Sequence, residues 1–255
     1  MAGVLNTSLE KLYYDIKHPA SYGGVAKLAK ASNLSPTIVR KWLMTQDAYT
    51  LHKPVRFKFR RRKVIAYGIG ELMQCDLIDV SKLSKYNDGN KYILTAIDVF
   101  SKYAFAIPLR SKNAEAVVDG FKKLFEEIKF NVVNLQTDEG KEFYNKKVQA
   151  YFKRLKIHHY SSYSEHKASV VERFNRTLKT KLYRIFTHTN SYRYVDVLKS
   201  VLKSYNTSVH RTTGYAPADV TPELESEIFE KVYGYRANVK HKFRNEDQEI
   251  GRAHV

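Results

Sequence analysis

The sequence predicts an α/β protein: a mixed β-sheet flanked by helices, preceded by a small helical region. Three observations carry this. Apolar residues recur at helical spacing up to residue 48 and again from residue 113, whereas between 71 and 110 they form short runs of strand length. From residue 71 the order reads three strands, helix, strand, helix, strand, helix, helix, which implies a mixed sheet covered by helices. A basic stretch without a single acid, residues 51–68, separates the two textures. The predicted division is therefore a helical helix-turn-helix-like domain at 1–48, a basic linker at 49–70, an α/β core at 71–222 and a C-terminal tail at 223–255.

In the first region, Thr7 and Glu10 match a capping box, Leu9, Leu12, Tyr13 and Ile16 share one face, and His18-Pro19 is the expected stop. Val25, Leu28 and Ala29 suit a short helix, and Asn33-Leu34 a tight turn. Ser35 is the next N-cap, with Pro36 at the first helical position. Ile38, Val39, Trp42 and Leu43 form the expected buried face, leaving Thr37, Arg40 and Lys41 pointing outward. Two helices across such a turn resemble a helix-turn-helix, in which Arg40 and Lys41 would contact DNA. A helical packing module that never meets DNA has the same pattern.

The linker holds Lys53, Arg56, Lys58, Arg60, Arg61, Arg62 and Lys63, alternating in part with Val55, Phe57 and Phe59. Like charges so dense repel unless a polyanion lies alongside, so phosphate contact is expected. The same stretch reads as a nuclear import signal, which makes the nucleus the expected compartment, or as a solvated arm.

In the core, 72–80 (LMQCDLIDV), 91–100 (KYILTAIDVF) and 103–110 (YAFAIPLR) are the first three strands, with Asp88-Gly89 offering a hairpin turn. Residues 113–128 form an amphipathic helix with Ala116, Val117, Phe121, Leu124, Phe125 and Ile128 inward. A strand at 132–137, a helix at 141–155, a strand at 157–160, a helix through 166–179 whose apolar stripe reaches Leu182, and a helix at 194–206 complete it. In the first of that last pair, Val171, Phe174, Leu178 and Leu182 make an apolar stripe, while Glu172, Asn175, Arg176 and Lys179 fall together on another side.

Composition narrows the function classes. The chain has 255 residues, 43% hydrophobic and 27% charged, with a net charge of +18 and a pI near 9.7. Such an excess of cations favours a polyanionic partner, above all nucleic acid. No apolar run is long enough to span a bilayer. Cys75 is the one cysteine, which excludes an internal disulfide and a cysteine-rich zinc finger. His158-His159 alternate across a strand and are expected to be structural.

Three acids break the apolar pattern. Asp76 interrupts the first strand, Asp138 ends the fourth, and Glu172 stands among amides and cations on a helix. A buried carboxylate needs a cation, a metal or exposure. Two carboxylates on neighbouring strands repel unless divalent ions lie between them, and a third from the helix suits Mg²⁺ or Mn²⁺. Taken singly, each acid also fits a strand cap or a surface ion pair.

At this point the residues resemble a family. "CDLID" on a first strand, "TDEGKEF" after a later one, "VVERFNRTLK" opening a helix and "YNTSVHRTTGYAPADV" downstream occur in the order of retroviral-type integrase cores and related DDE transposases. The likeness runs from about residue 70 to about 222, and "DAYTLHKPVRFKF" and "PASYGGVAKLAK" are similar to integrases of Maverick/Polinton transposons. The resemblance implies a ribonuclease H-like fold and Asp76, Asp138 and Glu172 as catalytic ligands of two Mg²⁺ or Mn²⁺ ions. It also implies Arg176 and Lys179 on donor DNA, Asn175 ordering the site and contacting DNA, and a homo-oligomer on double-stranded DNA. No ligand of the family maps to Asp79 or Asp98, so Asp79 is expected to be exposed and Asp98 structural. Only 33 residues separate Asp138 from Glu172, slightly fewer than usual, and the loop there lacks the glycines many relatives carry. The tail at 238–255 reads as the lead-in to a small barrel or chromodomain, as in a shortened chain or a host gene derived from a transposon.

The activity implied is 3′-end processing and strand transfer of transposon DNA. A ribonuclease H-like nuclease shares the carboxylates but needs no paired DNA ends. A non-enzymatic DNA-binding protein derived from an integrase needs only the helix-turn-helix and the basic arm.

Overall fold

A computed structural model describes residues 2–52, 64–161 and 168–234, with side chains from Thr7 onward. The arm cations Arg56, Lys58, Arg60, Arg61, Arg62 and Lys63, most of the loop before Glu172 and the tail from residue 235 lie outside the described residues.

The chain opens with helices α1 (Ala2–Tyr14), α2 (Val25–Ser32), α3 (Pro36–Leu43) and the short α4 (Asp47–Thr50). Helix α1 starts upstream of Thr7, which therefore lies within it and does not cap it. Ala2 and Leu5 are strong helix formers and carry the helix back past the expected cap. It also ends at Tyr14, short of His18-Pro19. Asn33, at φ 54°, makes the left-handed turn after α2. The Ser35 hydroxyl accepts the Ile38 N–H at 3.4 Å with Pro36 at the first position, as the sequence predicts. Val39 and Leu43 are fully buried, but Ile38 is exposed. It lies about 100° around the helix from Val39, just off the buried stripe. Thr37, Arg40 and Lys41 are exposed.

The core begins with strand β1 (Leu72–Asp79), followed by a 3₁₀ turn at Ser81–Tyr86 and strands β2 (Tyr92–Asp98) and β3 (Ala104–Leu109). Asp88 and Gly89 do turn the chain, at φ 54° and 78°, but at the end of that 3₁₀ segment and not as a two-residue hairpin. Then come α5 (Ala114–Glu127), β4 (Asn134–Thr137), α6 (Lys146–Arg154), β5 (His158–Ser161), the long α7 (Ser169–Thr189), α8 (Leu198–Asn206) and α9 (Glu225–Tyr233). Helix α6 starts later than its apolar pattern because residues after Gly140 turn first, and Asn145 caps it by accepting the Val148 N–H at 3.0 Å.

The five strands lie in the order β3-β2-β1-β4-β5. β1 pairs antiparallel with β2 and parallel with β4, β2–β3 is antiparallel and β4–β5 parallel, so the sheet is mixed. One face packs Met73, Cys75 and Leu94 against Phe121 of α5 and Phe152 of α6. Gly120 lets α5 sit close, since a Cβ there would stand 2.8 Å from Leu109 Cδ2. On the other face Ile78, Ile93 and Ile97 share one apolar cluster with Val171, Phe174, Leu178 and Leu182 of α7 and with Leu9, Tyr13, Leu28, Val39 and Leu43 of the N-terminal helices. Pro108 sits opposite Ile93 on the outermost strand. Asp98 N donates to Tyr103 O, which sets the ladder phase and turns the Pro108 nitrogen away from β2.

Asp98 is fully buried and accepts from Gly70 N, Ser101 N and Ser101 Oγ at 2.6–3.0 Å, the structural role expected of it. Asp79 is exposed and accepts from Ser81 N and Oγ. His158 and His159 take different partners: Asn134 Oδ1 for the first, Thr137 Oγ1 and Gln149 Nε2 for the second.

Candidate functional site

The same three-residue pattern, Gln-x-Asp, ends in Asp76 on β1 and in Asp138 after β4. Strand alternation turns Gln74 and Asp76 to one face, toward α7. The parallel register sets Gln74 against Gln136, and continuing it by two residues brings Asp138 level with Asp76. Gln74 is fully buried. Its Nε2 donates to Gln136 Oε1 at 2.7 Å, and its Oε1 accepts the N–H groups of Val170 and Val171 at 2.9 and 3.1 Å. Those are among the N–H groups that the first turn of α7 leaves without a helical partner. One amide side chain thus ties together the three elements that carry Asp76, Asp138 and Glu172.

A second amide bond lies one turn on. Asn175 is buried and its Nδ2 donates to Asp76 Oδ2 at 2.7 Å, while the Leu77 N–H donates to Oδ1 at 2.7 Å. Asn175 therefore turns inward onto Asp76, while Arg176 and Lys179 stand exposed beside it. Burial raises the Asp76 pKa, and the negative charges of Asp138 and Glu172 push it the same way; the Leu77 N–H and the Asn175 amide pull it back. Asp138 is partly exposed and accepts the Gly140 N–H at 3.2 Å; Glu172 is exposed.

Asp76, Glu172, Asn175, Arg176 and Lys179 line an open cavity of about 450 Å³ that runs along α7 to Tyr183 and to His52, the residue where the N-terminal helices hand over to the basic linker. Asp138 stands outside that wall but close enough for its charge to act on Asp76. Among the described residues, no three His, Cys, Asp or Glu side chains are gathered tightly enough to hold a metal ion. The carboxylates are thus electrically coupled without forming a closed ligand group. The three offer oxygen donors from separate elements, the donor type a hard cation takes, and Asp76 is disfavoured as an anion by burial and by the charges of the other two.

The sequence reading missed Gln74, Gln136 and His52. The repeated Gln-x-Asp was visible, since a Gln inside an apolar strand needs a partner as much as an Asp does. His52 carried no such signal.

Residues 67–166 match the model of the integrase core domain. A putative uncharacterized transposon-derived protein of Caenorhabditis elegans is 39% identical over 141 residues, 55% of this chain and 49% of that protein. The Gag-Pol polyprotein of feline leukemia virus is 31% identical over 171 residues, 65% of this chain and 9% of the polyprotein. The chain thus spans about half the length of the first relative and a small part of the second. Among solved structures, a chain of the simian T-cell lymphotropic virus intasome, in complex with PP2A regulatory subunit B56 gamma, superposes with a TM-score of 0.57 at 18% identity, covering 80% of this chain and 73% of that one. The HTLV-2 integrase catalytic core domain in complex with magnesium superposes with a TM-score of 0.50 at 16% identity, covering 62% of this chain and 99% of that one. The fold is the ribonuclease H-like fold of integrase cores.

Proposed function

We propose that this chain is a DNA integrase or transposase of the DDE type, which trims the 3′ ends of a mobile element and joins them to target DNA. The observation that carries the reading is Asp76: a half-buried carboxylate fixed by Asn175, under the charge of Asp138 and Glu172, in a cavity edged by Arg176 and Lys179. The match of residues 67–166 to the integrase core domain supports it. So do the magnesium of the HTLV-2 core and the intasome assembly of the simian virus protein.

Asp76, Asp138 and Glu172 would hold two Mg²⁺ or Mn²⁺ ions, which supply Lewis acidity and neutralise charge at the scissile phosphate. Arg176 and Lys179 hold the flanking phosphates over the carboxylates by direct charge. Asn175 keeps the Asp76 oxygens from rotating away, and Gln74 fixes where α7 presents Glu172. The work of the protein is positioning and charge placement, and no covalent link to the enzyme is required. Arg40 and Lys41 on α3, with the linker cations, hold duplex outside the cavity. Two element ends must meet, so several copies assemble on double-stranded DNA, in the nucleus. Kinship with Maverick/Polinton integrases belongs to the same reading.

A second reading is favoured by one observation. The absence of a closed ligand group among the described residues fits a DNA-binding protein that has lost the reaction. Incubation with labelled duplex ends and supercoiled plasmid in Mg²⁺ or Mn²⁺ separates the two. Joined products from the natural chain, absent from an Asp76→Asn variant that still binds DNA, support the enzyme. Trimming without joining points to a nuclease, and DNA binding without either product points to the binding protein.

A further inference from the structure

The cavity extends well beyond the carboxylates, and its far end has a different chemistry. Along α7 the wall runs from Glu172 through Arg176 and Lys179 to Tyr183. Eleven residues at about 1.5 Å each put Tyr183 about 16 Å from Glu172. Tyr183 is 46% exposed, so one side of its ring is open to the cavity. It is held, not loose. Buried Phe186 meets it edge-on at 5.7 Å, and the His52 ring stands 6.0 Å away at an interplanar angle of 50°. His52 is itself pinned, with Nε2 3.0 Å from Thr187 Oγ1. Burial and the nearby charge of Arg184 hold the His52 pKa below its ordinary value, so its ring is uncharged at neutral pH. Two flat rings therefore close one end of a groove whose middle is cationic and whose other end is acidic.

We infer that Tyr183 and His52 form a stacking subsite for one unpaired nucleobase of the DNA strand whose phosphate lies at Asp76 and Glu172. The inference rests on the DNA-joining reading and adds a base-binding site to it. Inside a duplex both faces of a base are covered by its neighbours and a terminal pair offers only its outer face, so rings standing within a groove take an unpaired base. Lys179, one turn before Tyr183, holds the phosphate between the two ends of the groove. At 3.4 Å per stacked nucleotide, the base lies no more than about five nucleotides from the reacting phosphate. The subsite is built from two parts of the chain, so the N-terminal region contributes a wall to the cavity as well as its own exposed helix face.

The test uses the full chain without metal, in EDTA, and so does not depend on catalysis. Binding is measured to a blunt duplex and to duplexes with single-stranded overhangs of one to eight nucleotides, each carrying 2-aminopurine at one position. The expected result is tighter binding of overhangs, with the fluorescence change confined to one position at or inside about the fifth nucleotide. Tyr183→Ala should weaken overhang binding roughly 5- to 150-fold and abolish that change, as for loss of one stacked base. Tyr183→Phe should retain both, and His52→Ala should lose part of each. Blunt and overhang duplexes bound equally by the natural chain, or an overhang preference untouched in Tyr183→Ala, would overturn the subsite and leave the DNA reading standing. No binding to either duplex at low salt would remove the DNA reading and the subsite together.

Discussion

Helix α7 buries polar groups at two places a few turns apart, and the two are stabilised in opposite ways. At its N-terminal end the buried partners are amides: Gln74 bonds Gln136 and the first turn of the helix, and Asn175 bonds Asp76, on which the charges of Asp138 and Glu172 act. In its middle the buried groups are cations. Lys181 is 8% exposed and donates to Ser204 Oγ at 2.7 Å, which in turn donates to the His18 carbonyl and lies 2.7 Å from Ser21 Oγ. Arg184 donates to the Tyr22 carbonyl and lies over the Tyr49 ring. These cations fasten the N-terminal helices to the core through neutral oxygens. Burial, aided by the charges of Lys27 and Arg184, pulls the Lys181 pKa down to about 7, so near neutrality this lysine can shed its proton. Asp76, by contrast, accepts from two neutral donors, the Asn175 amide and the Leu77 N–H, while the charges of Asp138 and Glu172 act on it. The cationic end of the helix thus rests on neutral acceptors, and the carboxylate end on neutral donors.

The comparison breaks most sharply at Asp76. Asp76→Asn should take DNA joining down by several orders of magnitude, read as product per hour, while thermal denaturation shows no loss of stability, because the exchange removes repulsion from Asp138 and Glu172. A next effect is expected at Gln74. Gln74→Leu leaves Gln136 and two N–H groups of α7 without a partner, which costs about 1–3 kcal/mol in a denaturant titration. It should also weaken Mg²⁺ binding about 10- to 100-fold by calorimetry, as for loss of an outer-shell support.

At the cationic end the signature is pH. Unfolded Lys181 keeps its proton to about pH 10.4, whereas the folded group releases it near 7. The unfolded chain thus binds more protons between those values, so stability should rise as pH climbs through that window, and below it the buried charge is a constant cost. Lys181→Met should flatten the rise, by an amount on the order of 3 kcal/mol across the window. The smallest effect is that of Lys179→Ala, which should lower the slope of log binding constant against log salt by about 1.

Much of this was legible in the chain. The stripe Val171, Phe174, Leu178 and Leu182 is buried because its period is that of a helix, and Ser35-Pro36 caps α3 because both residues act locally. The element order implied a mixed sheet, but the pairing of β1 with β4, which brings Asp76 and Asp138 level, came from the structure. What escaped was non-local. Lys181 and Arg184 drew no expectation from the sequence, and their burial depends on partners far along the chain, Ser204 for the first and Tyr22 and Tyr49 for the second. Ile38 shows the limit of pattern reading, since one position around a helix separates Val39 in the core from an exposed side chain. Asp88-Gly89 announced a turn but not the 3₁₀ segment before it. The three carboxylates were expected to converge. They are coupled through space, yet form no closed cluster among the described residues.

Pro108 has a consequence for how copies of this chain meet. The outward row of N–H groups on an outermost strand is a template on which another strand can grow, and enough copies make a fibre. With its ring nitrogen on that row, Pro108 interrupts the template near the end of β3, and Asn206 takes the N–H and C=O of Ala104 at its start. Copies of this chain brought close together are thereby steered from edge-to-edge stacking toward contacts between side chains, which can be reversed.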